Sequence, residues 1–219
     1  MTIKIKSATL GAFGTNTYLV GDTETNHAIL IDPVDNAPVI LNMAVEEGWT
    51  IKLIIATHAH LDHVMASQAI KDATQASFYI HEDCVEWLEQ IPAQARMFGL
   101  GDVPPAAKPD RLLTTEPEII ELDSIKLETL YTPGHAPGHL SLYMRDHKIL
   151  FSGDSLFAGS IGRTDLPGGD YHLLMKHIFD KLMVLDDDVQ VLPGHMQATT
   201  IGHERQTNDF LLSYDQDDS

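Results

Sequence analysis

The stretch THAHLDHV, residues 57–64, places three histidines and an aspartate within six positions, from His58 to His63. It directly follows a short apolar run of β-branched residues that is typical of a buried strand. In an extended segment residues two apart point the same way, so His58 and His60 can share one metal ion. Asp62 and His63 follow where the chain turns into a helix and can face a second ion. Imidazole and carboxylate donors without cysteine suit a catalytic site for zinc, iron, manganese or cobalt.

Three further apolar segments end in a metal-type donor. They are LYTPGH, ending at His135; ILFSGD, ending at Asp154; and VQVLPGH, ending at His195. Together with the first stretch, four strands deliver donors at what we expect to be one edge of a sheet. Functional residues concentrate on loops that a rigid scaffold holds, and this pattern therefore predicts a metal-binding site there.

The composition limits the class of protein. A chain of 219 residues fits a single domain, 1–219, and 43% hydrophobic residues suffice for a core. With 14 Lys and Arg against 32 Asp and Glu, a net charge of −18 gives no basic footprint for a nucleic-acid partner. The one cysteine, Cys84, cannot form an internal disulfide, and no signal-peptide or membrane-spanning run is visible. We therefore predict a cytoplasmic protein with no membrane or nucleic-acid partner.

Strands followed by helices occur twice along the chain, which predicts two similar α/β halves, each a sheet with helices outside. The helical patterns cover residues 37–49, 63–73, 82–98 with an interruption at Pro92, 170–183, and a final segment from about Gly202. Residues 99–112 contain two glycines and three prolines and are predicted to form an irregular loop. A loop of that length is a candidate wall of a substrate site.

The motifs THAHLDH, TPGHAPGH, FSGDSLF and LPGH are similar, in order and spacing, to those of the metallo-β-lactamase-fold hydrolases. Within that superfamily the chain most resembles the small bacterial glyoxalase II-type hydroxyacylglutathione hydrolases, from about residue 3 to 212. The resemblance implies a four-layer αββα sandwich. It also implies two divalent metal ions, with zinc as the first choice and iron or manganese as alternatives.

The resemblance implies a role for each of seven donors. One ion would be held by His58, His60 and His135. The second ion would be held by Asp62, His63 and His195, with Asp154 bridging both. Asp62 and Asp154 would also be the catalytic carboxylates. The substrate would be a small-molecule thioester such as S-lactoylglutathione, cleaved by attack of a metal-bound hydroxide, and its thiolate leaves readily because a thiol pKa is near 8.5.

Substrate recognition is predicted from fewer residues. Arg163, in GSIGRTDLPGGD, matches a position where longer glyoxalase II enzymes carry a basic residue that contacts the glycine carboxylate of glutathione. The alternative for Arg163 is a structural salt bridge, for example to Asp165. The tyrosine that those enzymes place two residues after the last histidine ligand is here Gln197. Their C-terminal helical glutathione-binding domain has no counterpart in a chain that stops at Ser219.

Other functions use the same donors. A persulfide dioxygenase of similar fold would hold one iron through His58, His135 and Asp154, leaving open positions for O₂. Those enzymes usually carry cysteine where this chain has His139, which favours the hydrolase. A lactonase on the same dinuclear site is a further alternative. A non-catalytic binding module is disfavoured because all seven donors are present.

Overall fold

A computed structural model describes residues 3–214. The chain forms two compact units. The first contains the residues up to Thr114 together with Ile120–Lys126, and the second contains Thr115–Ile119 together with the residues from Leu127 onward. The prediction of a single domain is not decided by this division and stays a prediction.

The first unit is built on a mixed six-stranded sheet whose strands are arranged in sequence order. Its strands are β1 (Ile3–Leu10), β2 (Thr15–Asp22), β3 (His27–Ile31), β4 (Thr50–Ile55), β5 (Ser77–His81) and β6 (Arg111–Leu113). The first three strands pair antiparallel, and β3 to β6 pair parallel. Strand β3 is apolar and buried after His27, and the last three residues of β4 are apolar and buried, because a parallel sheet covered by helices is buried on both faces.

The helices of the first unit are α1 (Ala37–Glu47), α2 (Leu61–Val64), α3 (Ser67–Thr74), α4 (Val85–Glu89) and α5 (Ile91–Met97). Buried residues of these helices, such as Ile40 and Ile70, join Ile54 of β4 in one apolar core. The predicted break at Pro92 is confirmed, since α4 and α5 meet at Gln90 and Pro92 lies in the first turn of α5.

A polar clasp at Asp22 ties the tip of a later hairpin, residues 120–126, to the turn after β2. The Asp22 carboxylate accepts hydrogen bonds from the backbone of Glu24 and from the backbone and hydroxyl of Ser124. These hydrogen bonds, that of the Ser124 hydroxyl first, lower the pKa of Asp22 to about 2. Beside it, Asp123 Oδ2 accepts from Thr25 Oγ1 at 2.8 Å and lies 2.7 Å from His27 Nδ1.

The later strands form a second mixed sheet, in the order β14-β13-β10-β9-β8-β7. Its strands are β7 (Ile119–Leu122), β8 (Ile125–Tyr131), β9 (Leu140–Met144), β10 (Ile149–Gly153), β13 (Gln190–Pro193) and β14 (Thr199–Thr200). A separate hairpin is made by β11 (Leu156–Phe157) and β12 (Ser160–Ile161). Strands β8, β10 and β13 run in the same direction, so their carboxyl ends lie at the same sheet edge.

The helices of the second unit are α6 (Tyr171–His177), α7 (Ile201–Thr207) and α8 (Asp209–Leu212). A π-helical turn, Ile178–Leu182, continues α6, so the predicted helix over 170–183 is correct in extent but not in type. Leu174 and Ile178 pack with Leu150 and Val191 of the sheet in a second apolar core. Within residues 3–214, no helix is both long and apolar enough to span a bilayer.

Besides the π-helical turn, the fold departs from the sequence prediction at several positions. The helix predicted over 63–73 is divided into α2 and α3, because the chain leaves helical hydrogen bonding around Met65 and Ala66. Strand β6 begins inside the loop predicted over 99–112. The β11–β12 hairpin was missed because strands of two residues carry no detectable alternation. The α/β class is confirmed, with two mixed sheets and helices in each unit.

Candidate metal site

In the first unit the donors follow β4 directly. His58 is fully buried, and His60 adopts an extended backbone as the residue before α2. His58 Nε2 and His60 Nδ1 lie 3.0 Å apart. Two nitrogens that bind one tetrahedral ion at about 2.0–2.1 Å are separated by about 3.3 Å. The spacing of this pair of ring nitrogens therefore fits a shared ion, as predicted for these two histidines.

Asp62 and His63 lie in the single turn of α2. Asp62 Oδ2 is 3.6 Å from His63 Nε2 and accepts a hydrogen bond from Thr15 Oγ1 at 2.7 Å. The rings of His58 and His63 are close, with centroids 4.1 Å apart. Thr15 was not predicted as a site residue, because it becomes a neighbour of Asp62 only when β2 packs beside the donor segment.

Asp32 is a second residue of this unit that sequence reasoning missed. Its buried carboxylate lies 2.9 Å from His63 Nδ1 and accepts from the backbone N–H and the hydroxyl of Thr57, at 2.7 and 2.9 Å. A carboxylate on one ring nitrogen fixes the tautomer and leaves the other nitrogen for a metal. The signal was present in the sequence, since HAILIDP is also an apolar strand that ends in an acid.

In the second unit the donors lie at the carboxyl ends of β8, β10 and β13. Asp154 follows β10 and His195 comes two residues after β13, and their directions bring both to the same sheet edge. Asp154 Oδ2 lies 3.4 Å from His135 Nε2 and 3.4 Å from His195 Nε2. One carboxylate oxygen thus stands at equal distance from two imidazole nitrogens.

The orientation of His135 is set by the backbone of the GRTD segment. His135 Nδ1 donates to the carbonyl oxygen of Arg163 at 2.7 Å, which leaves Nε2 facing Asp154. Gly162 lets the GRTD segment pass close to the backbone of Asp154, since a Cβ at this position would lie 1.8 Å from the Asp154 carbonyl oxygen. The sequence predicted a role for the Arg163 side chain, whereas the contribution of its carbonyl was not predicted.

The Arg163 side chain is exposed and forms a two-pronged ion pair with Asp165, with Nε–Oδ1 and Nη2–Oδ2 distances of 2.7 Å each. The hydrogen bond to Asp165 raises the pKa of Arg163, and the same contact lowers the pKa of Asp165 to about 2. The ion pair named as the alternative for Arg163 therefore exists. A substrate-binding role for the guanidinium stays a prediction.

The 99–112 loop is anchored to the first unit. Leu100, Val103 and Ala106 pack against its apolar core, and the Ala107 N–H donates to Ser67 Oγ at 2.9 Å. These contacts fix the middle of the loop. Its role as a substrate wall stays a prediction.

All seven predicted donors belong to groups of histidine and aspartate side chains that could hold a metal ion. His139 is not among the seven predicted donors, and in the structure it accepts a hydrogen bond from the backbone of Asp154, with Nε2 and the Asp154 nitrogen 2.9 Å apart. The donor types and their orienting partners fit divalent ions such as zinc, iron or manganese.

Comparison with known proteins shows the family. Residues 10–195 match the model of the metallo-beta-lactamase superfamily. The chain belongs to this superfamily. It is 41% identical to the hydroxyacylglutathione hydrolase GloC of Haemophilus influenzae over 214 residues, which is 97% of this chain and 99% of that protein.

Solved structures of metallo-beta-lactamase superfamily proteins confirm the predicted fold. The BLEG-1 B3 metallo-beta-lactamase is 37% identical, with a TM-score of 0.89 over 95% of this chain and 99% of that chain. TTHA1623 in a di-iron-bound form is also 37% identical, with a TM-score of 0.85 over 94% and 100% of the two chains. The superfamily and the GloC relative together assign the chain to the metal-dependent hydrolases.

Proposed function

We propose that the chain is a hydroxyacylglutathione hydrolase of the glyoxalase II type, acting on a thioester such as S-lactoylglutathione. The observation that carries the proposal is the carboxylate of Asp154, whose Oδ2 is equidistant, at 3.4 Å, from His135 Nε2 and His195 Nε2. That arrangement suits an oxygen ligand shared by two ions. The 41% identity to GloC supports the substrate class.

In this proposal the seven predicted donors hold two metal ions. The first ion would be held by His58, His60 and His135, the second by Asp62, His63 and His195, and Asp154 would be a ligand of both. Zinc remains the first choice. Iron is supported as an alternative by the di-iron form of the TTHA1623 neighbour, and manganese suits the same donors.

Two divalent ions would lower the pKa of a water molecule to about 7 and polarise a carbonyl oxygen. The chain supplies the charge balance. Asp62 and Asp154 bring two negative charges to neutral imidazoles, which leaves the loaded site positive toward a developing oxyanion. Asp32 and the Arg163 carbonyl fix the rings of His63 and His135, so their metal-facing nitrogens need no reorientation.

No protein nucleophile is required. The Cys84 thiol is fully buried, and burial raises its pKa, so it does not supply a thiolate at neutral pH. The leaving group of a thioester is itself a thiol with a pKa near 8.5, which departs with little help from an acid. A small-molecule thioester is therefore the proposed partner, and we place the reaction in the cytoplasm.

The test is hydrolysis of S-lactoylglutathione by protein that has been stripped with a chelator and reloaded with zinc, iron or manganese. We expect activity only after reloading, with about two ions bound per chain. Asp154→Asn should lower kcat/KM by more than about 100-fold, because the carboxylate is proposed to contact both ions. Asp188→Asn, an exposed partner of Lys148, is the matched control and should leave activity unchanged.

Other results would redirect the assignment. Oxygen uptake with glutathione persulfide, without thioester cleavage, would replace the hydrolase with a dioxygenase. Turnover of a lactone alone would replace it with a lactonase. A single ion under all three metals would contradict the dinuclear site.

A further inference from the structure

His139 lies in a buried chain of hydrogen bonds behind Asp154, within the second unit. Its side chain is fully buried, and both ring nitrogens lie within hydrogen-bonding distance of another group. Nε2 lies 2.9 Å from the backbone nitrogen of Asp154, and Nδ1 lies 2.9 Å from Thr132 Oγ1. The Thr132 backbone N–H also donates to the His139 carbonyl at 2.9 Å, so the histidine is held at its backbone and at both ring nitrogens.

The direction of each hydrogen bond follows from the groups involved. A backbone N–H only donates, so His139 Nε2 must carry a lone pair toward Asp154. The ring proton therefore lies on Nδ1 and is donated to Thr132 Oγ1. An imidazolium, or the other neutral tautomer, would bring two hydrogens face to face at Asp154. The geometry is satisfied by one neutral tautomer of His139.

The series of hydrogen bonds continues beyond Thr132 and returns to β10. Thr132 Oγ1 lies 3.0 Å from Ser141 Oγ, and the Ser141 hydroxyl donates to the carbonyl of Ser152 at 3.2 Å. Ser155 Oγ donates to the same carbonyl at 2.7 Å. Ser152 and Ser155 flank Asp154 in sequence. The network thus closes around the turn that carries Asp154, and each hydroxyl in it is buried.

We propose that His139 is a positioning residue that, as the Nδ1–H tautomer required by the Asp154 N–H and stabilised by Thr132 Oγ1, fixes the backbone of Asp154. That backbone places Asp154 Oδ2 at its equal distances from His135 and His195. The inference rests on the proposed role of Asp154 as a metal ligand. It gives Thr132, whose side chain hydrogen-bonds His139, an effect on metal binding through the tautomer of that histidine.

The first experiment reads the tautomer directly. In ¹⁵N-labelled protein, free of metal and loaded with zinc, the two ring nitrogens of His139 are distinguished by NMR through their couplings to the ring protons. We expect the proton on Nδ1 in both states. Thr132→Val removes the acceptor of that proton and should shift His139 toward the Nε2–H form. Thr129→Val is the matched control, since Thr129 is a buried threonine of β8, the strand that ends just before Thr132, and is bonded to Glu118 instead.

The second experiment measures zinc affinity by competition with a chelator. His139→Leu leaves the Asp154 N–H without its acceptor and should weaken zinc binding about 10- to 100-fold, whereas His139→Gln, whose side-chain oxygen can accept, should recover most of the loss. Thr132→Val should also weaken binding in the wild-type background and much less in the His139→Gln background, because an amide has no tautomers. Thr129→Val should bind zinc like the wild type.

An Nε2–H tautomer in the wild type, or unchanged zinc affinity in folded His139→Leu, would overturn the proposal. If His139→Leu does not fold, Thr132→Val decides, and unchanged affinity with an unchanged tautomer overturns it. Wild-type protein that binds zinc but cleaves no thioester contradicts the proposed function alone. The tautomer and affinity measurements still test His139 in that case.

Discussion

At the scale of single residues, Arg163 contributes two separate groups. Its carbonyl oxygen accepts from His135 Nδ1, and its guanidinium pairs with Asp165 on the surface. Substitution of the side chain leaves the carbonyl in place, so the proposed substrate contact can be removed without removing the support of His135. The ion pair also means that a substrate carboxylate must compete with Asp165 for the guanidinium.

That competition gives a paired kinetic prediction. Arg163→Ala should raise KM for a glutathione thioester roughly 5- to 100-fold with little change in kcat, since a contact far from the carbonyl stabilises ground and transition states equally. Asp165→Asn should lower KM, by at most about 5-fold, because it frees an exposed guanidinium. A thioester without the glycine carboxylate is the control substrate. Equal losses on both substrates from Arg163→Ala would make the arginine structural.

Asp32 is predicted to matter for both metal binding and stability. Asp32→Asn removes the charge that holds His63 Nδ1 and one of the acceptors used by Thr57. We expect zinc affinity to fall about 10- to 100-fold and the free energy of unfolding to fall by about 1–3 kcal/mol. Chelator competition and urea unfolding measure the two effects, with exposed Asp72→Asn as control. Normal zinc affinity in Asp32→Asn would show that His63 needs no carboxylate.

The seven donors were predicted because histidine and aspartate recur at strand ends in a pattern that the sequence displays. Asp32, Thr15 and the Arg163 carbonyl were not predicted. Each acts through a partner that is distant in sequence, and a backbone carbonyl carries no residue-specific signal at all. What the sequence shows is donor chemistry, whereas the orientation of each donor depends on residues that only folding brings near.

At the scale of elements, strand direction determines where the donors meet within each unit. In the first unit, parallel β3 and β4 bring Asp32 and His58 to one edge. In the second, β8, β10 and β13 do the same for His135, Asp154 and His195. The apolar runs predicted these strands. The short β11–β12 hairpin and the π-helical turn after α6 depend on local packing and gave no periodic signal.

Strand β2 carries a further element-scale prediction. A Cβ at Gly21 would lie 2.2–2.5 Å from ring atoms of Trp49, so the indole packs directly on the strand backbone. Gly21→Ala should lower the free energy of unfolding by about 1–3 kcal/mol through overpacking. Urea unfolding of Gly21→Ala with and without Trp49→Leu tests the cause. The alanine should cost less beside leucine, and an equal cost would place the effect elsewhere.

At the scale of the whole molecule, two histidines outside the donor set, the buried His81 and the half-buried His177, make stability depend on pH. Burial lowers the pKa of His81 and of His177, chiefly through desolvation of the charged ring. Charged neighbours adjust this effect. Asp83 and Glu82 act to raise the pKa of His81, Asp180 acts to raise that of His177, and Lys176 and Lys181 act to lower it.

The direction in which stability changes with pH follows from proton uptake by the folded and unfolded states. Above about pH 6.5 both histidines are neutral in the folded and unfolded states, and the protein has its full stability. As the pH falls below that value the unfolded chain binds protons that the folded protein resists, so stability declines until the folded pKa values are passed. His81→Gln and His177→Gln should each flatten the decline in urea unfolding between pH 5 and 7. Exposed His147→Gln is the control, and an unchanged slope in both variants would contradict the prediction.

The Asp22 clasp has a consequence for dividing the chain into fragments. Because residues 120–126 belong to the first unit while 115–119 belong to the second, the polypeptide crosses between the units three times. A cut after Thr114 would leave Ser124 on the carboxyl-terminal piece and Asp22 on the other, and a cut after Lys126 would remove β7 from the sheet it completes. Either cut leaves one of the two pieces with an incomplete unit. Activity from a split chain would therefore require the two pieces to reassemble, with the 120–126 tip seated against Asp22.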